Sequence, residues 1–139
     1  MFYGTFVYQT LLPAGRYEVW RFFDNPANLE NITKPGDIKV NHGDDGQNIH
    51  IDLQLGGMSF TWRALVTERR EPNYFIDEAV SPPFPLIRWK HHHSLHSLDV
   101  FTGVTDYISF ESSIPAFLIR PGLQWMFAQR KRELLKIFN

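Results

Sequence analysis

The stretch Ile49-His50-Ile51-Asp52-Leu53-Gln54-Leu55 divides cleanly in two when it is laid out as an extended chain. Ile49, Ile51, Leu53 and Leu55 fall on one side and His50, Asp52 and Gln54 on the other. A strand divided in this way has one buried and one solvated face, the mark of an antiparallel sheet covered on one side. Gly56-Gly57 turns the chain, and Met58 to Thr67 repeats the pattern with Met58, Phe60, Trp62, Ala64 and Val66 on the apolar side. Upstream, Pro35-Gly36 precedes a short run from Ile38 to Asn41. The loop His42-Gly43-Asp44-Asp45-Gly46 then reads as a hairpin turn, because it lacks the alternating oxygen ligands and terminal glutamate of a calcium loop. Downstream, Glu71-Pro72-Asn73 leads into a strand from Tyr74 to Val80. Ser81-Pro82-Pro83-Phe84-Pro85 separates it from a strand centred on Trp89 to Leu95, and a last strand runs from Val104 to Ser112.

Both ends of the chain add a different period. Thr5 to Leu12 alternates and ends at Pro13-Ala14-Gly15, after which Arg16 to Phe23 takes helical spacing. Asp24-Asn25-Pro26 stops that helix, and Asn25 can cap a second short one over Ala27 to Ile32. A closing helix is predicted from Gly122 to Phe138, with Leu123, Met126, Phe127, Leu134, Leu135, Ile137 and Phe138 in its apolar arc and Arg130 and Lys131 inside that arc. The order is therefore one strand, two short helices, six strands and one long helix. Its economical packing is α+β, a curved antiparallel sheet with the helices on one face. Space left between sheet and closing helix is where a small molecule would bind.

Composition narrows the function. The 139 residues are the size of one domain, and 15% aromatic residues, including 12 Phe and 4 Trp, suit either a bulky core or a lined cavity. A net charge of −1 offers no global field for nucleic acid or an anionic membrane, and only Arg130-Lys131-Arg132 is locally basic. The absence of cysteine removes disulfides, thiolate ligands and a thiol nucleophile. The first residues carry no charged leader, and no stretch reaches the ~18 to 20 apolar residues that span a bilayer. These features predict a soluble, cytoplasmic protein without stable membrane insertion or a nucleic-acid partner. No phosphate-cradling loop, dinucleotide fingerprint or nucleophile elbow is present, so no cofactor is expected.

The layout resembles the helix-grip fold of the SRPBCC superfamily, which contains START lipid-transfer domains, the birch-pollen allergen and aromatic polyketide cyclases. The resemblance in element order spans residues 1–139 as one domain. Within the superfamily the chain is similar to a bacterial ligand-binding subfamily in Phe23-Asp24-Asn25-Pro26-Ala27-Asn28-Leu29 with Ile32-Thr33, in Gly57 to Trp62, and in Tyr74-Phe75-Ile76-Asp77-Glu78. Further likeness lies in Pro82-Pro83-Phe84, Trp89-Lys90-His91-His92-His93 and Gly103-Val104-Thr105-Asp106-Tyr107. Pro82 replaces a glycine usual in that subfamily, and Gly103-Val104 replaces Gly-Thr; both are changes in turn regions. The resemblance implies a cavity for an apolar or amphipathic small molecule, or chemistry on a cyclic ketide or similar carbonyl compound, and supplies no established catalytic residues.

The histidine-rich strand carries the polar question. Strand alternation places Trp89, His91, His93 and Leu95 on one face and Arg88, Lys90, His92, Ser94 and His96 on the other, solvated one. If Trp89 faces Phe110, His91 faces Ile108 and Leu95 faces Val104, registry sets His93 opposite Asp106. That pair is either a structural hydrogen bond satisfying two buried groups or an acid–base pair, and the structural reading is preferred because satisfied core pairs outnumber catalytic ones. His91 is left without a partner and becomes the candidate for meeting a ligand. His91, His93 and Asp106 could supply three metal donors, but the pattern lacks the spacing of a zinc motif, and no metal is expected. Arg130 either covers apolar surface with its stem, the preferred reading, or sends its head into the cavity toward an anionic group of the ligand.

The candidate ligand contacts are thus Phe60, Trp62, Phe75, Phe84 and Trp89 from the sheet side, with His91, Phe110, Phe127 and Arg130. The leading expectation is a binding protein for an apolar, aromatic or lipid-like molecule. The alternatives are a polyketide cyclase or dehydratase-like enzyme using His91 or His93 with Asp106 for proton transfer, and a lipid-transfer or interaction module that uses the basic end of the last helix.

Overall fold

The computed structural model describes residues 1–33, 37–42, 48–55 and 57–139. In chain order the elements are β1 (Phe2–Leu12), α1 (Arg16–Phe23), a 3₁₀ turn (Pro26–Asn28), α2 (Leu29–Ile32), β2 (Asp37–His42), β3 (Asn48–Leu55), β4 (Met58–Arg70), β5 (Tyr74–Val80), β6 (Leu86–Leu98), β7 (Phe101–Ser112) and α3 (Ala116–Ile137). The described strands form one antiparallel sheet in the order β1-β7-β6-β5-β4-β3-β2. Six consecutive strands pair as neighbours, and β1 closes the far side against β7. This is the helix-grip α+β arrangement. The turn expected at residues 43–46 lies outside the described residues, as do Pro35, Gly36 and Gly56.

Registry between β6 and β7 follows the expected alignment, with Trp89 opposite Phe110, His91 opposite Ile108, His93 opposite Asp106 and Leu95 opposite Val104. The face is fixed because Leu95, Val104, Ile108 and Phe110 are all buried, and a slip of one residue would turn every one of them outward. On β4 the two-residue period breaks. Val66 pairs with Asp77, but Glu68 pairs with Ile76 and Arg69 with Phe75, so Thr67 is the extra residue of a bulge. The break brings Arg69 onto the concave face beside Phe75.

At the segment between α1 and α2 the expected helix over Ala27 to Ile32 is a 3₁₀ turn followed by one turn of α-helix. Asn25 does serve the segment's start, its Oδ1 accepting the Ala27 N–H at 3.2 Å.

The closing helix starts six residues before Gly122, with Pro121 inside it. A proline at that point removes one backbone hydrogen bond and usually ends a helix. Here tertiary packing carries the first turns: Ala116 and Ile119 pack on the cluster of Phe6, Ile108, Phe110, Leu123 and Phe127, and Arg120 Nε donates to the Thr5 carbonyl at 3.1 Å. Gly4 makes the approach possible, since a Cβ there would lie 2.5 Å from Phe110 Cζ and 2.8 Å from Ala116 Cβ. The buried stripe of α3 is narrower than the predicted arc. Leu123, Phe127 and Leu134 are buried, Phe138 follows just past the helix end, and Leu135 and Ile137 are exposed. A second cluster joins Val19 and Trp20 of α1 and Ile32 of α2 to Leu95, Val104, Leu134 and Phe138.

Candidate functional site

A cavity of about 680 Å³ lies between the middle strands and the three helices. Ile51, Leu53, Trp62, Ala64 and Phe75 form its sheet wall, Leu29 and Ile32 one end, and Leu123 and Phe127 the side toward α3. The alternation that made β3 and β4 legible supplies these side chains. At the rim Arg69 meets Asp24 through two contacts, Nε to Oδ1 at 3.0 Å and Nη2 to Oδ2 at 2.7 Å. The Arg69 guanidinium also lies over the Trp20 ring, 5.3 Å from its centroid.

Of the expected contact residues, Trp62, Phe75, Trp89, His91, Phe127 and Arg130 line this cavity. Three do not. Phe84 is 80% exposed: the Leu86 N–H bonds to the Pro83 carbonyl at 2.9 Å, so Phe84 sits at the tip of a tight turn while Pro82 and Pro83 face the cavity. Phe110 is buried, but its ring is used in packing against the helix start, close to Gly4. Phe60 is half-buried near the open end of β4 and lies outside the lining.

The cavity's polar wall joins three strands and a helix. Asp106 Oδ1 lies 2.8 Å from His91 Nε2 and 3.2 Å from His93 Nδ1. His93 Nε2 lies 2.8 Å from Oδ2 of Asp77, on β5. The imidazoles stack at 3.5 Å between centroids, Phe75 covers His93 at 4.1 Å, and Phe127 meets His91 edge-on at 5.7 Å. His91 therefore has a partner, contrary to the expectation from registry alone. The pairs that face each other across the ladders are Asp77 with His91 and Asp106 with His93, yet the shortest contacts run diagonally, from Asp77 to His93 and from Asp106 to His91. Diagonal neighbours are within reach of long side chains. Asp77 was missed as a site residue. Its signal was an acid between Phe75 and Ala79 on one face of β5, visible once that strand is divided by parity.

Electrostatics assigns a charge to each group. Burial favours a neutral Asp106, but the hydrogen bonds and charges of His91 and His93 outweigh it and hold the carboxyl well below its ordinary range. For Asp77 burial is likewise outweighed, here by the His93 contact, and the group stays ionised. His93 is opposed by burial but, held between two carboxylates, is pushed up to about 9. His91 is pushed down, by burial first and by its charged neighbour second. An ionised Asp106 can only accept, so His91 Nε2 carries the proton and donates, leaving Nδ1 with a lone pair.

Arg130 lines the cavity with its guanidinium over the Phe127 ring, 5.0 Å from the centroid. Its pKa is lowered by burial, with the fields of Asp106 and Asp77 opposing. Along α3 the residue continues the line of Leu123, Phe127 and Leu134 and, partly buried, borders the cavity.

The fold recurs among solved structures of low sequence identity. The chain superposes on protein Ms6760 from Mycobacterium smegmatis with a TM-score of 0.81 and 15% identity, covering 97% of this chain and 90% of that one. On the major latex-like protein 151 of Panax ginseng the TM-score is 0.75 at 13% identity, covering 98% and 97%. On the Zhui aromatase/cyclase from Streptomyces sp. R1128 it is 0.72 at 12% identity, covering 96% and 90%. No family model matches the sequence, and no curated protein matches it either. The chain shares the helix-grip fold of these structures. Among the described residues no helix is long and apolar enough to cross a membrane.

Proposed function

We propose that this protein is a single helix-grip domain that binds an apolar or amphipathic small molecule, with an aromatic or lipid-like body, between its sheet and α3. The observation that carries this reading is the cavity itself, which combines apolar walls with a compact set of ionised groups on one side. Such a site holds a hydrophobic body and fixes its orientation through a few polar contacts. Trp62, Phe75, Trp89 and Phe127 are the proposed apolar contacts, and His91 and Arg130 the polar ones. The test is native mass spectrometry of protein purified from its source, together with titration of a fluorescent apolar probe. One small molecule per chain, displaced by the probe, is the expected result. Absence of both, or probe uptake unchanged when Ala64→Trp fills the wall, would overturn it.

A second reading rests on His91. It is neutral, oriented by Asp106 from behind, and retains an Nδ1 lone pair on a cavity wall, the equipment of a general base at an enolisable carbonyl. In this reading His91→Phe abolishes turnover in a substrate screen while probe binding survives. The interaction-module reading loses support, because Arg130 belongs to the cavity wall and Lys131 is half-buried, leaving Arg132 as the exposed charge of the basic run.

A further inference from the structure

Among the described residues only one group of three His, Asp or Glu side chains brings its donor atoms together: Asp77, His91 and His93, with all three donors within 4.8 Å of one another. The sequence offered Asp106 as the third donor, whereas the structure gives it another position. Its Oδ1 faces both His91 Nε2 and His93 Nδ1, whereas the other nitrogen of His93 faces Asp77. A carboxylate bonded to the far nitrogen of a metal-ligating histidine fixes its tautomer and ring orientation.

We propose that Asp77, His91 and His93 form a mononuclear site for a divalent first-row transition ion at the inner wall of the cavity, with Asp106 as the positioning carboxylate for both imidazoles. Two imidazoles and one carboxylate are donors that suit zinc, iron or cobalt, and they leave at least one coordination position open. That position faces the cavity, where an oxygen or nitrogen of the bound molecule can complete the shell. This goes beyond the binding reading, which needs no ion.

The geometry asks for little movement. Two donors on a tetrahedral ion at ~2.0 to 2.1 Å stand roughly 3.3 Å apart. The contact between Asp77 Oδ2 and His93 Nε2 must therefore open from 2.8 Å, and His91, whose nearest donor lies within 4.8 Å of the other two, must bring its Nδ1 toward them. His93 gives up its Nε2 proton to solvent as the ion takes its place, and Nδ1–H remains on Asp106. His91 needs no proton change. Arg130 forms no ion pair with Asp77 among the described residues, so the carboxylate is not already committed to a guanidinium.

The test uses the intact chain and Co²⁺ or Zn²⁺ alone. The expected result is uptake of one ion per chain, with Co²⁺ giving visible absorption bands of a four- or five-coordinate nitrogen and oxygen site that Zn²⁺ abolishes. Asp77→Asn should remove the bands, and Asp106→Asn should weaken binding by about 10- to 100-fold. The outward-facing histidines provide the control, and His92→Asn with His96→Asn should leave affinity unchanged. No stoichiometric uptake by the wild-type chain, or bands that survive Asp77→Asn and vanish with the outer histidines, would overturn the site. Wild-type data alone decide the first point even where a variant fails to fold. Probe uptake measured in the presence of chelator reports on the cavity separately, so loss of the metal site and loss of the binding reading are distinguishable.

Discussion

His91 and His93 lie face to face with ring centroids 3.5 Å apart, and only one of them is charged. His93 has a carboxylate at each nitrogen, whereas His91 shares one with its neighbour and repels a second positive charge in contact with the first. Stacked imidazoles in opposite protonation states are a stable arrangement because each explains the other.

This arrangement sets the pH dependence of the metal-free protein. The folded pKa of His93, about 9, stands above the ordinary 6.5, so its contribution is fully present below 6.5 and is lost as the pH rises through 9. His91 works in the opposite sense: lowered from 6.5, it costs stability as the pH falls below that value. Asp77 and Asp106, both lowered, contribute above the ordinary carboxylate range and lose their contribution in acid. Urea midpoints should peak near neutrality and fall between pH 7 and 10, and a flat alkaline limb would contradict the charge assigned to His93.

Removing either carboxylate leaves a buried charge without its partner. Asp106→Asn should cost about 3 to 5 kcal/mol, the range for breaking a buried ion pair from one side. Asp77→Asn should cost less, since Asp77 holds one histidine and Asp106 holds two. Denaturation curves of the two variants at pH 7 rank them, and the reverse order would show that the single Asp77–His93 contact outweighs both contacts of Asp106.

Phenylalanines of equal sequence prominence should behave differently. Phe84→Ser, at an exposed turn, should leave both probe affinity and stability within about 0.5 kcal/mol of wild type. Phe127→Ala, at a ring 2% exposed between Phe6, Tyr8 and His91, should cost about 3 to 5 kcal/mol. Probe titration and thermal unfolding of the pair read both effects.

The contact between Asp24 and Arg69 is half in solvent, with side-chain exposures of 40% and 47%. Asp24→Asn should therefore change stability by less than about 1 kcal/mol. The same substitution releases a clasp between the end of α1 and β4 at the cavity rim, so probe dissociation measured by stopped flow should quicken. An unchanged rate would place the route to the cavity elsewhere.

Gly4 is required for a reason of space alone. A methyl group there would overlap Phe110 and Ala116, so Gly4→Ala should cost about 1 to 3 kcal/mol. Amide exchange should show the loss concentrated in the first turns of α3.

Much of the fold was legible because β3, β6 and β4 as far as Val66 obey a two-residue period, and Trp89, His91, His93 and Leu95 aligned with Phe110, Ile108, Asp106 and Val104 from the sequence alone. The start of α3 was not, since Pro121 is a local stop signal overruled by distant contacts from Thr5 and Phe6. The site was half legible. Alternation placed His91 and His93 inward, but registry names only the residue directly opposite, and these side chains are long enough to join the neighbour one step along. The contact of Asp77 with His93 and the place of Arg130 at the cavity depend on β5 and α3 meeting β6, a relation that no single periodic segment contains.

The bulge at Thr67 makes the clasp sensitive to chain length as well as to chemistry. Counted at an unbroken two-residue period from Val66, Arg69 would point to the outer surface and Arg70 inward. The one extra residue reverses that parity and sets Arg69 opposite Phe75 on the concave face. A β4 that took Thr67 into a regular ladder would pair well and still leave the rim unlatched, so at this edge of the sheet an irregular ladder keeps the guanidinium where the cavity needs it.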